Sequence, residues 1–379
     1  MSHALLAIAL LFAASPAHAR VDLAPTPPMG WSSWNRFGCD VDEGIVRDTA
    51  DALVASGMRA AGYRYVNVDD CWMAPTRDSL GGLRPDPAKF PSGIPALADY
   101  VHARGLRLGL YTSIGARTCQ GRPGLQGHLE SDVRRLAAWG VDYLKVDFCA
   151  PDEATRRNPE PAFRRVRRAL DESGRPVVLS ITTWGQGAPW RWGFGELWRV
   201  TGDIRAEWDW IVRIPARSHL RRRFAGPGGW NDADMLEVGN PGLSDREGRA
   251  HFGLWAILAS PLIAGNDVRT MSRITTRTLL NPEVIAVNQD RLGRQGRRLR
   301  AGRRQVWVKR VTGGRAVLLL NRGRRGARMR VRLDRIGLPS AERYRVRDLW
   351  RRRSRDSGPV LRARVLAHQA RLFRIRRPR

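Results

Sequence analysis

Tyr143-Leu-Lys-Val-Asp-Phe-Cys149 is the stretch on which the fold turns. Tyr143, Leu144, Val146 and Phe148 make a short apolar run after a helix-like segment closed by Gly140, the pattern of a buried parallel strand. Lys145 and Asp147 interrupt it two residues apart, so the pleat puts both on one face. Charge on an inward strand face is costly unless it is paired or used. A structural Lys–Asp contact explains this strand alone. It does not explain why strands ending in acidic residues recur along the chain.

From residue 21 to about 290, strand-like and helix-like segments alternate. Gly30-Trp-Ser-Ser-Trp34, Tyr65 to Asp70, Leu106 to Thr112, the opening stretch, Pro176 to Thr182, Leu197 to Asp203, Trp230 to Met235 and Leu262 to Asp267 read as strands. Asp42 to Ala61, Ile94 to Arg104, Leu129 to Trp139, Pro161 to Glu172, Asp245 to Leu258 and Ser272 to Val287 read as helices. Eight such units predict an α/β fold, a (β/α)8 TIM barrel over residues 20–293. The rival, an open doubly wound sheet, needs a glycine-rich phosphate loop at its first helix, and the sequence has none there. After Gly293 the texture changes to short alternating strands. Val306 to Val311 and Ala316 to Leu320 flank Thr312-Gly-Gly314 as a hairpin. Met329, Val331 and Leu333 alternate with arginines, as do Leu361, Ala363 and Val365, so residues 294–379 read as a small antiparallel β-sandwich. Its arginine face reads as solvated surface.

The net charge is +30, and lysine occurs only at Lys89, Lys145 and Lys309. Arginines are spread along the chain without interleaved aromatics, which argues against a specific nucleic-acid site and is compatible with weak adhesion to anionic surfaces. Met1 to Ala19 is apolar and ends in Ala17-His18-Ala19, a secretory signal pattern that implies export to the periplasm or medium. No later stretch could span a bilayer. Cys39, Cys71, Cys119 and Cys149 are even in number, which in an exported chain suggests two disulfides with three pairings open. Their spacing suits no metal, and no cofactor is implied.

In such a barrel, catalytic groups gather where strands end. Those positions hold Trp34, Asp69, Asp70, Tyr111, Lys145, Asp147, Arg199, Asp203, Asp232 and Asp234. A mouth rich in carboxylates and aromatics and poor in histidine suits a sugar: charged groups bind hydroxyls and Trp stacks on the ring. Metal-assisted hydrolysis lacks ligand spacing. A Schiff-base role for Lys145 conflicts with neighbours that keep it charged. A non-catalytic sugar-binding protein is the alternative of a different class.

Pro28-Met-Gly-Trp-Ser-Ser-Trp34, Val68-Asp-Asp-Cys-Trp-Met-Ala-Pro75, Tyr143-Leu-Lys-Val-Asp147, Trp198-Arg-Val-Thr-Gly-Asp203, Gly226-Pro-Gly-Gly-Trp-Asn-Asp-Ala-Asp-Met235 and Val284-Ile-Ala-Val-Asn-Gln-Asp290 resemble the motifs of glycoside hydrolase family 27, the α-galactosidase family. The resemblance implies release of terminal α-D-galactose by a retaining double displacement, with Asp147 as nucleophile and Asp203 as acid/base. It implies that Asp69, Asp70 and Lys145 bind the 3-, 4- and 6-hydroxyls and Arg199 the 2-hydroxyl. Trp34, Tyr111, Asp234 and Met235 match pocket walls, and Cys39–Cys71 and Cys119–Cys149 match disulfides. The partners implied are α-galactoside oligosaccharides, polysaccharides or glycoconjugates; a homodimer is compatible. Retention needs two carboxyls about 5–5.5 Å apart. On this reading Lys145 keeps Asp147 ionised, and the charge of Asp147 raises Asp203 so that it stays protonated. One departure stands out. The family's Cys-Glu-Trp after the fifth strand is here Thr182-Thr183-Trp184, which puts Thr183 where a glutamate would meet the 2-hydroxyl. That keeps α-N-acetylgalactosaminidase and β-L-arabinopyranosidase activities open.

Overall fold

The computed structural model describes residues 23–339 and 343–377; the expected signal segment lies outside them. Eight parallel strands form one curled sheet: β1 (Met29–Ser32), β2 (Tyr65–Val68), β3 (Arg107–Ser113), β4 (Tyr143–Asp147), β5 (Val178–Ile181), β6 (Leu197–Arg199), β7 (Trp230–Asp232) and β8 (Leu262–Ala264). Neighbours pair in chain order from β1 to β7, and β8 returns to pair with β1. Leu236, just past β7, bridges Ala264 in parallel and closes the ring. The barrel forms because its strands carry apolar side chains towards both faces. Val66, Leu108, Leu144, Val146, Leu179 and Ile181 are all fully buried, each worth about 1.5–3 kcal/mol. Capping sets where the outer helices start. The Asp42 carboxylate accepts from the Ile45 N–H at 2.7 Å, and Ser244 and Glu247 form a reciprocal capping box.

Two boundaries differ from the sequence reading. β2, β6 and β8 stop before Asp69, Asp203 and Asp267, which were expected to end them, and several loops at this end turn through left-handed residues. Cys71, Ala150, Trp184 and Asp234 have φ of 73°, 46°, 50° and 75°. Four such residues follow β2, β4, β5 and β7, at about 1–3 kcal/mol each. That cost is tolerated where loops must aim side chains. The helix expected over Ser272 to Val287 is two, Arg273–Leu279 and Pro282–Asn288. Pro282 cannot continue a helix, and the Asn281 side chain caps the new one.

The C-terminal part holds a six-stranded antiparallel sheet, β9 (Arg297–Arg300), β10 (Arg304–Val311), β11 (Gly314–Asn321), β13 (Tyr344–Asp348), β14 (Arg353–Ser357) and β16 (Gln369–Arg376), in the order β14-β13-β16-β11-β10-β9. A two-stranded sheet, β12 (Ala327–Arg332) and β15 (Val360–Val365), faces it. Val317, Met329, Leu361 and Phe373 fill the space between them. The other face of the large sheet is continuous with the barrel core through Trp307, Leu318 and Leu372.

Lys309, on β10, is buried at this junction. Its Nζ donates to the carbonyls of Ala256 (3.5 Å), Val287 (2.5 Å) and Asn288 (3.2 Å), so it caps the C-terminal ends of two barrel helices. Burial pulls the ammonium down to about 7, with Asp290 opposing weakly. A lysine that binds its proton more weakly folded than unfolded makes the fold gain stability as pH rises from about 7 towards its unfolded value. Relative to Lys309→Met, the wild type should therefore gain a few °C of Tm between pH 7 and 10. A Tm difference that stays constant across that range in calorimetry would exclude this.

Candidate active site

The C-terminal ends of the strands surround a cavity of about 480 Å3, within the range of small-ligand sites. Trp34, Asp69, Asp70, Tyr111, Lys145, Asp147, Arg199, Asp203, Asp234 and Met235 all line it. Thr183 and Trp184 do not. Thr183 is fully buried, and its hydroxyl donates to the Gln186 carbonyl at 2.7 Å inside its own loop. It does not occupy a glutamate's place at the cavity wall. Trp184 stays outside the lining, and its nearness to Asp203 favours the ionised carboxylate.

Asp147 ends β4 at the cavity floor and is only 6 % exposed. The Phe148 N–H donates to one carboxyl oxygen at 2.9 Å and the Tyr111 hydroxyl to the other at 3.3 Å. Lys145, two residues back on the same face, donates to Asp69 at 2.8 Å. Burial would strip its proton, but Asp69 and Asp147 outweigh that and hold the ammonium above its ordinary value, so it is no amine nucleophile. Asp70 is held by backbone: its carboxylate accepts from Cys71 (2.7 Å) and Gln120 (3.0 Å). Burial still pushes it up.

Arg199, at the end of β6, is nearly inaccessible and binds two carboxylates, Asp234 at 2.6 Å and Asp203 at 3.0 Å. Asp234 also accepts from the Ile204 and Met235 N–H groups. Asp203 stands at the rim with its side chain 70 % exposed. The two disulfides join neighbouring loops here, Cys39–Cys71 across the β1 and β2 loops and Cys119–Cys149 across those after β3 and β4. Beside the second, Gly115 passes so close that a Cβ would sit 2.1 Å from the Ala150 carbonyl, so only glycine fits.

The electrostatic order of the two acids differs from the sequence expectation. Burial raises Asp147 to about 6, against the pull of Lys145, the Phe148 N–H and Arg199. Asp203 is lowered: partial loss of water pushes it up, but Arg199 and Lys145 and the bonds from Arg199 and Trp184 outweigh this. The correction is physical. The charge of Asp147 was expected to reach Asp203 unopposed, and Arg199 lies on Asp203 instead.

Glu237 was not among the sequence candidates. It lines the cavity, is buried, and accepts from the side-chain amides of Asn35 and, at 2.6 Å, Asn240. Burial lifts it to about 7. The alternation Asp232-Ala-Asp234-Met-Leu-Glu237 breaks phase at Leu236, where the chain bridges β8, which is why period-2 reading stopped short of it. Asp232 lies beneath the mouth. It is raised to about 6 by burial and accepts from the Asp234 N–H at 2.8 Å.

A (β/α)8 barrel whose mouth presents paired carboxylates, an arginine and aromatic walls is the architecture of a glycoside hydrolase. Residues 26–290 match the family described as Alpha galactosidase A, and residues 301–375 match the Alpha galactosidase C-terminal beta sandwich domain. The chain is 46% identical over 333 residues to the alpha-galactosidase of Cyamopsis tetragonoloba, covering 86% of this chain and 80% of the relative. It is 49% identical over 315 residues to alpha-galactosidase A of Cellvibrio japonicus, with 79% and 77% covered. Alpha-galactosidase I of Mortierella vinacea superposes with a TM-score of 0.91 at 36% identity, covering 93% of this chain and 97% of that one. The chain belongs to the α-galactosidase family, glycoside hydrolase family 27.

Proposed function

We propose that the protein releases terminal α-D-galactose from galactosides by double displacement, with Asp147 as nucleophile and Asp203 as acid/base. The observation that carries this reading is the division of one cavity between a buried carboxyl on its floor and an exposed carboxyl at its rim, both acted on by Lys145 and Arg199. Asp147 attacks the anomeric carbon, the glycosidic C–O bond breaks, and Asp203 gives its proton to the leaving oxygen. Water then adds to the anomeric carbon as Asp203 takes a proton back and Asp147 leaves. A hydroxyl that draws Arg199 onto the sugar takes away the bond that holds Asp203 down, so substrate itself promotes protonation of the acid. Asp69, Asp70 and Lys145 serve the 3-, 4- and 6-hydroxyls, Arg199 the 2-hydroxyl, and Trp34, Tyr111 and Met235 the walls.

Catalysis belongs to residues 20–293, with 294–379 as the accessory sandwich. The disulfides suit export, and no described helix is long and apolar enough to cross a membrane. Weak adhesion to anionic material and pairing into a homodimer belong to the same proposal; sedimentation at two ionic strengths tests both.

A panel of nitrophenyl glycosides tests the specificity. With Thr183 turned into its loop, nothing in its side chain opens the 2-position to an acetamide. The α-galactoside should exceed the α-N-acetylgalactosaminide and the β-L-arabinopyranoside by at least about tenfold in kcat/KM, a difference of about 1.4 kcal/mol in transition-state binding. Thr183→Val should leave that order unchanged. A preference for either competitor would reassign the activity within the family.

A further inference from the structure

We propose that the C-terminal sandwich carries a binding groove for an acidic polysaccharide, running between β14 and the free edge of β15. A cavity of about 400 Å3 lies there, floored by Val346, Ala363 and Phe373. Its walls hold Arg351, Arg353 and Arg355 on one side and Arg362 and Arg364 on the other, with Arg371 at the base. The one acid in the lining, Asp348, is already paired with Arg371. Arg355 and Arg371 reach across to the carbonyls of Arg362 (2.6 Å) and Arg364 (3.2 Å), so the unpaired edge of β15 is covered and the groove is a defined shape.

A second observation is independent of the cavity. In the β12–β15 pair, Arg328 stands directly opposite Arg364 and Arg330 directly opposite Arg362. Like charges directly opposed across a ladder destabilise it. A few arginines of this domain have carboxylate partners, Arg345 with Asp356, Arg347 with Glu283 and Arg332 with Asp334. Arg328, Arg330, Arg351, Arg353, Arg362 and Arg364 are exposed and have no side-chain hydrogen bond or ion pair among the described residues. A general arginine bias accounts for their number but not for the placing of two like-charged pairs in register beside one basic cavity.

The groove's chemistry selects its occupant. Guanidinium forks bind carboxylate or sulfate groups in bidentate fashion. Residues two apart on β15 repeat at about 6.6–6.8 Å, a pitch that meets a polymer with regularly spaced anions. A single-stranded nucleic acid would need stacking platforms, and the groove's aromatic ring, Phe373, is buried beneath it. An anionic bilayer is flat and is met best by a flat basic face, whereas these arginines face one another across a groove. The choice of a sugar polymer rests on the galactosidase reading; the basic groove does not. Such a site would hold the enzyme on an acidic polymer while leaving the barrel mouth free.

The test is affinity electrophoresis and calorimetry of the full chain at 0.15 M salt. The probes are polygalacturonate, dextran sulfate, neutral dextran, duplex DNA and phosphatidylglycerol vesicles. Arg362→Glu/Arg364→Glu is compared with Arg134→Glu/Arg249→Glu, which changes net charge equally at exposed sites on barrel helices. The groove variant should lose at least about tenfold in affinity for the two acidic polysaccharides, with the control within about twofold. Turnover of the nitrophenyl galactoside should stay within about twofold in both, which shows the fold intact. Equal losses in the two variants, no polysaccharide binding by the wild type, or tighter binding to DNA or vesicles would each overturn the proposal. Failure of the galactosidase reading would appear separately, as absent turnover in the wild type.

Discussion

Asp147→Ala should retain less than about one part in 10^4 of wild-type kcat on a nitrophenyl α-galactoside, while KM moves by less than about tenfold. The asymmetry follows from how the floor is built. Lys145 is held by its own bond to Asp69, Asp70 by the Cys71 and Gln120 N–H groups, and Arg199 by Asp234. None of these needs Asp147 to keep its place, so binding survives while the covalent step is lost. The truncation also leaves room beside the Tyr111 hydroxyl, which had bonded the carboxylate. A small external anion can use that room. Azide should therefore restore turnover, and because it enters from the face Asp147 occupied, the product should be the β-galactosyl azide: the new C–N bond forms as the aglycone departs with the C–O electron pair. Proton NMR of the anomeric hydrogen reads the configuration. An α-azide, or an alanine variant that hydrolyses at the wild-type rate, would remove Asp147 from the nucleophile's role.

The barrel could be read from the sequence because a parallel strand covered on both faces has nowhere to put polar residues. The exceptions, Lys145 with Asp147 and Arg199 with Asp203, therefore stand out as a period of two or a strand end. Asp69, Asp70 and Asp234 were legible for the same reason. What escaped depends on direction and on long-range partners. Thr183 has the right place in the chain, but a positive φ at Trp184 and the bond to Gln186 turn its side chain inward. Glu237 follows the chain's departure from the ladder, and its amide partners Asn35 and Asn240 come from two different loops. Lys309 reads as one more residue of an alternating strand, because the helix ends it caps come from residues 245–258 and 282–288. The electrostatic ordering of Asp147 and Asp203 needed the position of Arg199, which no spacing in the sequence conveys.

That ordering leads to the second large effect. The proposed chemistry needs Asp147 ionised and Asp203 protonated, yet in the free protein Asp147 is raised to about 6 and Asp203 is lowered below its ordinary 3.8. The productive form thus has the same net charge as a more abundant one with the proton on Asp147, and the pair titrates as a unit. Its population is greatest between the two pKa values and falls above about 6, where both carboxyls are ionised. For an alkyl galactoside, whose leaving oxygen must be protonated, wild-type kcat/KM should peak on the acid side of 6 and decline on the alkaline side. In kcat/KM, Asp203→Asn should lose about 10^2–10^4-fold on that substrate and less than about tenfold on a nitrophenyl galactoside, whose aglycone leaves unaided. With the aryl substrate the variant needs only an ionised Asp147, so its kcat/KM should rise through about 6 and stay level, replacing a bell by a single step. Deglycosylation still lacks its base, so a burst of nitrophenol should precede slow turnover. Equal loss on both substrates, or a bell that persists in the variant, would mean that another group delivers the proton; Glu237, on the same cavity and held near 7 by burial, would be the first to examine.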